Sequence, residues 1–335
     1  MTHPRLSLAL QGADHLPVSG SILVLGPGGA TDLSDLPQDR AVIVQGFRPD
    51  HDALVAQGWT VVPQIAGTPD GFSAAIIFVP RARGAARAMV AEAAARVVAG
   101  GPVWIDGQKT DGIDTMLKDI RARAAVSAPV AKAHGKIFRF DAGPRFDDWR
   151  ATDLHPAPGF VTTPGVFSAE KVDHGSALLA EALPDRLPPR VADLGAGWGW
   201  LAAQVLARPG VEEVHLIEAD RAALDCARRN ITDPRARFHW EDATRFRPEA
   251  SVDAVVMNPP FHTGRAAEPA LGAAFIAAAA AMLVPSGRLW MVANRHLPYE
   301  AVLARHFREV AEIGGDGGFK LLTAARPVAA PRPRH

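Results

Sequence analysis

The chain has 335 residues, the length of two average domains rather than one. Its 48% hydrophobic and 21% charged residues are those of an ordinary globular protein and exclude a disordered or fibrous chain. Lys+Arg and Asp+Glu both number 36, which excludes binding to nucleic acid through net charge alone. Any such contact must use local patches such as Arg81, Arg83 and Arg87, or Arg326, Arg332 and Arg334, and each of these reads equally well as solvated surface.

The one cysteine, Cys226, excludes an internal disulfide framework and a cysteine metal site. It falls in a predicted helix and is expected as a small core residue, which suits a reducing cytoplasm. No metal is expected. Met1 to Leu10 lacks a basic stretch followed by a sustained apolar run, so no secretory leader is expected. The longest apolar stretch, Ala270 to Pro285, is Ala-rich and too short to span a bilayer. A soluble cytoplasmic protein with no membrane contact follows, and a monomer is the default oligomeric state.

In chain order, Ser21 to Leu25 is a short apolar strand running into Gly26-Pro27-Gly28-Gly29, and Ala41 to Val44 is a second strand. Ala74 to Val79 is a strand ending at Pro80-Arg81. An Ala-rich helix from Ala85 to Val98 follows, then Gly100-Gly101-Pro102 and a strand from Val103 to Ile105. Asp141 to Gly165 is Pro/Gly-rich without clean periodicity and reads as a connection. The division this predicts is a first domain over residues 1–145, a linker over 146–165 and a second domain over 166–335.

Beyond the linker the pattern sharpens. Strands are predicted at Arg190–Leu194, Val214–Ile217, Ala236–Trp240, Val252–Met257 and Gly287–Ala293. Helices are predicted at Leu201–Ala207, Arg221–Asn230 and Ala270–Leu283. Apolar strands alternating with helices indicate an α/β fold with a parallel sheet covered on both faces.

The stretches IIFVPRARGAARAMVAEAAARVVAGGPVWI and VVMNPPFHTGRAAEPALGAAFIAAAAAMLVPSGRLWMV match in order and rough spacing, which suggests an internal duplication. The first copy has Val79-Pro80-Arg81 where the second has Asn258-Pro259-Pro260-Phe261. It also lacks an acid before its glycine turn, where the second has Asp193. The first half reads as a fold retained without its chemistry.

Asp193-Leu194-Gly195-Ala196-Gly197-Trp198-Gly199 lies at a strand-to-helix turn, where glycines let the backbone take positive φ and approach a ligand. A dinucleotide fingerprint would put its third glycine at Trp200, so a nicotinamide cofactor fits poorly. Gly-x-Gly-x-Gly after an acid suits a zwitterionic amino-acid moiety better than a pyrophosphate. Glu218 ends the second strand of this half, where an acid can accept both hydroxyls of a ribose, while Asp220 suits a helix start. Asp242 could accept from an adenine amino group while the Ala243 N–H donates to a ring nitrogen.

The sharpest signal is Asn258-Pro259-Pro260-Phe261, at the carboxyl end of a strand. Two prolines stiffen the loop and remove two N–H donors. The Asn258 oxygen and a proline carbonyl remain as acceptors that could grip the two hydrogens of an exocyclic NH₂ on a planar, conjugated group. Phe261 offers a stacking face. His262 beside it is the residue of a solvent edge rather than a base.

Together these motifs resemble a class I S-adenosylmethionine-dependent methyltransferase, in that family's order over Arg190 to Asn294. Pro164-Gly165-Val166-Phe167-Ser168, Asp173-His174-Gly175-Ser176, Gly318-Phe319-Lys320 and Gly107-Gln108-Lys109-Thr110-Asp111-Gly112 narrow the resemblance. They are similar to the ribosomal RNA small subunit methyltransferase C family and its large-subunit relatives. That resemblance implies two tandem Rossmann-like methyltransferase domains, the N-terminal one degenerate and serving RNA recognition or structural support. It implies methylation of guanine N2 in ribosomal RNA, most simply of the small subunit, with RNA or a ribosomal subunit as partner. Asn258, Pro259, Pro260 and Phe261 would hold the target base. Phe167, Asp173, Gly175, Ser176, Asp193, Gly195, Gly197, Gly199, Glu218, Asp242, Ala243 and Asn258 would enclose S-adenosylmethionine. Trp198 and Trp200 are bulkier than the family pattern around this turn.

The residues alone leave other substrates open. A large-subunit guanine, adenine N6 and a protein glutamine share the planar nitrogen. A non-catalytic ribosome-assembly module would share the fold.

Overall fold

A computed structural model describes residues 4–11, 15–66, 68–260, 262–263, 266–267 and 269–328. The chain divides into two compact units, Met1–Asp153 with Thr163–Gly165, and Leu154–Thr162 with Val166–His335. No helix among the described residues is long and apolar enough to cross a membrane.

The first unit carries β1 (Ile22–Leu25), β2 (Ala41–Val44), β3 (Thr60–Val62), β4 (Ala74–Phe78), β5 (Pro102–Gln108), β6 (Val130–Lys132) and β7 (Gly135–Asp141). They form one seven-stranded sheet in the order β3-β2-β1-β4-β5-β7-β6. Only β7 runs against its neighbours. β1 and β4 are almost wholly buried, which is why they read as unbroken apolar runs rather than alternating ones. Helices α1 (Pro4–Leu10), α2 (Arg48–Ala56), α3 (Arg83–Arg96) and α4 (Ile113–Arg121) complete the unit. α4 turns Ile113, Met116, Leu117 and Ile120 inward at helical spacing.

α1 is tied to the sheet by a buried ion pair. Arg5 Nε and Nη2 lie 2.7 and 3.0 Å from the two carboxylate oxygens of Asp106, and both side chains are 2% exposed. Arg5 also donates to the carbonyls of Lys132 and Ala133. Phe146 and Trp149, at the start of the expected linker, are buried in the core of this unit, and 154–162 packs with the second. Arg87 and Arg123 lie over the Trp149 ring at 4.9 and 4.8 Å. Arg83 and Arg87 share one carboxylate, Asp119, which offsets one of their two charges.

The second unit has α5 (His174–Ala182), β8 (Arg190–Leu194), α6 (Trp200–Leu206), β9 (Glu213–Glu218), α7 (Arg221–Asn230), β10 (Ala236–Trp240) and β11 (Val252–Met257). A short antiparallel pair follows, β12 (His262–Thr263) and β13 (Ala266–Ala267). Then come α8 (Pro269–Met282), β14 (Leu283–Asn294), α9 (Tyr299–His306), β15 (Phe307–Gly315) and β16 (Phe319–Pro327). The large sheet has the order β10-β9-β8-β11-β14-β16-β15, with only β16 running against its neighbours. This is the order and direction of the first sheet, so the duplication read from the sequence extends to topology. β14 starts at Leu283, earlier than the expected Gly287, because Leu283 pairs with Val252 before a register shift.

The two sheets can be aligned residue by residue. Gly26 N donates to Val44 O at 3.0 Å, and Gly195 N to Ile217 O at 2.9 Å, both glycines having positive φ. With Leu25 set on Leu194, the strand registers place Val24 at Asp193, Gln45 at Glu218 and Phe78 at Asn258. They place Asp106 at Val292. Val79-Pro80-Arg81 thus stands opposite Pro259-Pro260-Phe261, one place later than the sequence comparison alone suggested. The first unit has the fold without the two carboxylates and the asparagine.

Candidate active site

The strand order of the second unit reverses between β8 and β11. From β8 the chain moves outward to β9, and from β11 to β14 on the other side. Such switch points open a crevice beyond the carboxyl ends of the strands. Val256 and Met257 pair with Asp193 and Leu194, so the Asp193 turn and Asn258 emerge side by side.

The cleft there is lined by residues including Phe167, Asp173, Ser176, Asp193, Gly197 and Asn258. Gly195, Gly197 and Gly199 have φ of 76°, 56° and 89°, a run that L side chains resist. A Cβ at Gly197 would meet nothing within 4 Å, so its backbone is open to a ligand.

Asp193 is 1% exposed, and its Oδ2 is buried without a hydrogen-bond partner. Burial, reinforced by the charge of Glu218, pushes its carboxyl up to about 8. Glu218 accepts from Gly197 N at one oxygen and Asp220 N at the other, each at 2.7 Å. Burial raises its carboxyl to about 7, against those backbone donors. Each of its oxygens keeps a lone pair for a further donor. Asp220 caps α7 through Ala222 N, the helix-start role expected of it.

Asn258 sits where the chain leaves the sheet. In the first unit Val79 N still donates to Asp106 O, whereas Pro259, at the equivalent place, has no N–H to give. The Asn258 Nδ2 group donates to Asp173 Oδ2 at 2.7 Å and to Ser176 Oγ at 2.8 Å. Its Oδ1 is buried and partnerless. Asp173 Oδ2 also accepts from Ser176 N, capping α5. A Cβ at Gly175 would lie 3.1 Å from both that oxygen and the Phe319 ring. Gly175 thus serves by leaving room, and it does not line the cleft.

Asp242 accepts from Thr244 N and Oγ1, and Ala243 is a core residue, so neither forms part of the wall of this cleft. Pro259 is buried and Pro260 exposed. Phe261 and the side chain of His262 lie outside the described residues, as do Arg332 and Arg334. Arg326 pairs with Glu309 at 3.2 Å.

The resemblance implies that Phe167 to Ser176 help close this site, and it does not say what holds the chain just before them. Trp198 Nε1 donates to Phe167 O at 3.1 Å, and its ring meets Phe160 edge-on at 5.5 Å. Asn230 exchanges two hydrogen bonds with the Val161 backbone and donates to Trp198 O. These contacts hold Phe160, Val161 and Phe167 against the glycine turn and leave Phe167 62% exposed beside the cleft. The two tryptophans that departed from the expected pattern were the available clue: Trp198 is a strut for this cover.

Comparison with known proteins fits the geometry. The methyltransferase small domain family matches residues 158–323. Ribosomal RNA small subunit methyltransferase C of Pseudomonas paraeruginosa is 30% identical over 76% of this chain and 80% of its own length. The chain belongs to that family. The Hahella chejuensis member is 27% identical over 92% of this chain and 95% of its own. A solved T. thermophilus 16S rRNA N2 G1207 methyltransferase, in complex with AdoMet and guanosine, superposes with a TM-score of 0.80. It is 26% identical and covers 96% of this chain and 92% of its own. The duplicated, half-degenerate methyltransferase fold expected from the sequence is the fold of the family.

Proposed function

We propose that this chain methylates the exocyclic N2 of a guanine in ribosomal RNA of the small subunit, with S-adenosylmethionine as donor. The observation that carries this reading is the partnerless Asn258 Oδ1 at the end of β11, beside the glycine turn after β8. The names of its relatives and the guanosine complex of the T. thermophilus enzyme support the base and the subunit.

The residues fit the donor. The orphaned Asp193 Oδ2, the open Gly197 backbone and the Glu218 lone pairs offer acceptors and space to an amino-acid group and a ribose. Gly195, Gly197 and Gly199 would shape the cradle, with Phe167, Asp173 and Ser176 above it and Asp242 and Ala243 at the adenine end. When bound, S-adenosylmethionine supplies an electrophilic methyl group.

The chain's own part is placement. Asn258 Oδ1 accepts a hydrogen bond from the exocyclic amine, which draws the nitrogen away from conjugation and frees its lone pair; once methylated, the nitrogen is cationic and gives its extra proton to water. The rigid Pro259-Pro260 pair holds that oxygen still, and Phe261 would stack on the base. A base within a helix would have to swing out to reach this crevice. No strongly basic side chain is needed, since alignment supplies much of the acceleration. The first unit, with Val24, Gln45 and Phe78 at the positions of Asp193, Glu218 and Asn258, would recognise RNA or support its neighbour. A cytoplasmic monomer suits this role.

Incubating the protein and labelled donor with small subunits, large subunits, DNA and release factors tests the reading. Label in a single guanine of small-subunit RNA is expected. Label appearing only in protein or DNA would overturn it.

A further inference from the structure

The Asn258 amide can serve an amine only with its oxygen turned towards it, and an amide can sit in its slot two ways round. We propose that Asp173 is a positioning residue that fixes the sense of this amide, so that Oδ1 and not NH₂ faces the substrate. The inference rests on the function proposed above and names the device that makes Asn258 selective for an exocyclic amine.

The chemistry of the three side chains decides which one carries the sense. Ser176 Oγ can donate or accept, so it tolerates either orientation of the amide. A carboxylate only accepts. Reversing the amide would bring Asn258 Oδ1 to 2.7 Å from Asp173 Oδ2, oxygen against oxygen. Asp173 alone therefore discriminates.

The turn that carries this carboxylate is held from several sides. Asp173 Oδ2 accepts from Ser176 N at 2.9 Å, the first-turn bond of α5. Gly175 leaves the space that this oxygen and Phe319 occupy. On the outer side of the same turn, His174 Nε2 lies 2.6 Å from Asp316 Oδ2. Asp316 Oδ1 in turn accepts from Gly318 N and Phe319 N. Asp173 to Ser176 and Asp316 to Phe319, two stretches far apart in sequence, thus set one amide.

A helix cap alone predicts a different mutational series. Asp, Asn and Ser cap helices about equally well, so a capping role makes all three equivalent at 173. An orientation role ranks them. Asp173→Asn keeps an oxygen able to take both hydrogen bonds, without the charge. Asp173→Ser keeps a cap and is too short to reach Asn258.

The test uses the full-length chain, S-adenosylmethionine and small subunits lacking the target methyl group. Melting temperature should stay near the parent's in both variants, and kcat is read at saturating donor. On the scale of losing one preorganised polar contact in an active site, kcat should fall on the order of 100-fold in Asp173→Ser, with KM for the subunit little changed. Asp173→Asn should fall between the two, and Ser176→Ala should lose only a few-fold. Equal kcat for Asp, Asn and Ser at 173 overturns the inference, as does a loss in Ser176→Ala as large as in Asp173→Ser. If the serine variant does not fold, the asparagine variant decides, and a parental kcat there overturns the proposal. Asn258→Ala separates the two levels. A normal rate in Asn258→Ala defeats the function proposed for Asn258, whereas an inactive Asn258→Ala beside a fully active Asp173→Ser defeats this inference alone.

Discussion

The two units carry the same strand order, directions and glycine turn, yet their equivalent positions hold opposite kinds of side chain. At the tip of the first strand stands Val24 in one and Asp193 in the other. At the next tip stand Gln45 and Glu218, and at the switch point Phe78 and Asn258. Gln45 donates to Pro27 O and accepts from Phe47 N, closing with an uncharged amide the place where Glu218 keeps a charge. The reverse also occurs: Asp106, buried against Arg5, stands where the second unit has the core residue Val292. A fold can thus be kept while polar groups move from the open edge of the sheet to its interior, from chemistry to structure.

Breaking each unit at its own polar group should give different kinds of damage. The largest effect is expected at Arg5. Arg5→Ala removes the guanidinium from a buried ion pair, a loss of about 3–5 kcal/mol. Thermal or urea unfolding of the full chain should show the first unit melting early while donor binding in the second persists. Loss of donor binding in step with that transition would show that the units do not behave separately.

Asn258→Ala should leave melting near the parent's and cut kcat at saturating donor by about 10²–10³-fold. The matching change in the first unit, Phe78→Asn, should give no activity when combined with it, since Val24 and Gln45 offer no donor site. Methyl transfer by that double variant would mean the first unit is not degenerate.

The carboxyls at Asp193 and Glu218 make donor binding pH-dependent, with a definite sign. Burial raises Asp193 to about 8 from an ordinary value near 3.8. Its proton is therefore retained on folding across roughly pH 4–8, which stabilises the free protein at the acid end, and that stability is lost as pH rises through 8. A cationic donor prefers the ionised carboxylates, so its affinity should rise with pH, by up to about tenfold per unit for each group below its pKa. Calorimetry at pH 6, 7 and 8 measures this directly. Asp193→Asn should flatten the profile to the share carried by Glu218, and an unchanged slope would remove Asp193 from the site.

Much of this contrast was legible in the residues. Runs such as Val252 to Met257 are buried on both faces and have no other reading than a central parallel strand. Asn258, Asp193 and Glu218 announced themselves because polar residues at strand tips have no packing reason to be there. The C-terminal hairpin β15–β16 was not foreseen, because β15 is an exposed edge strand of mixed polarity without a clear period. The link from Asp173 to Asn258 spans 85 residues and depends on side-chain direction, which spacing does not encode. The cover was hidden for a related reason: Pro/Gly-rich segments lack periodicity, so nothing in Phe160 to Phe167 tells which surface it meets.

The cover is tied to the glycine turn through the Trp198 indole. Trp198→Phe tests it with a small, specific change. The phenyl ring keeps the apolar packing beside Phe160, Val166 and Cys226. The change deletes the bond from Nε1 to Phe167 O and trims part of the buried indole. One neutral hydrogen bond contributes about 1 kcal/mol net, so donor affinity should weaken roughly fivefold while kcat at saturating donor stays near the parent's. Asn230→Ala, which frees the Val161 end of the same segment, should act in the same direction. If Trp198→Phe lowers kcat and leaves affinity alone, the tryptophan acts on the substrate side, and the segment from Phe160 to Phe167 closes over the base rather than the donor.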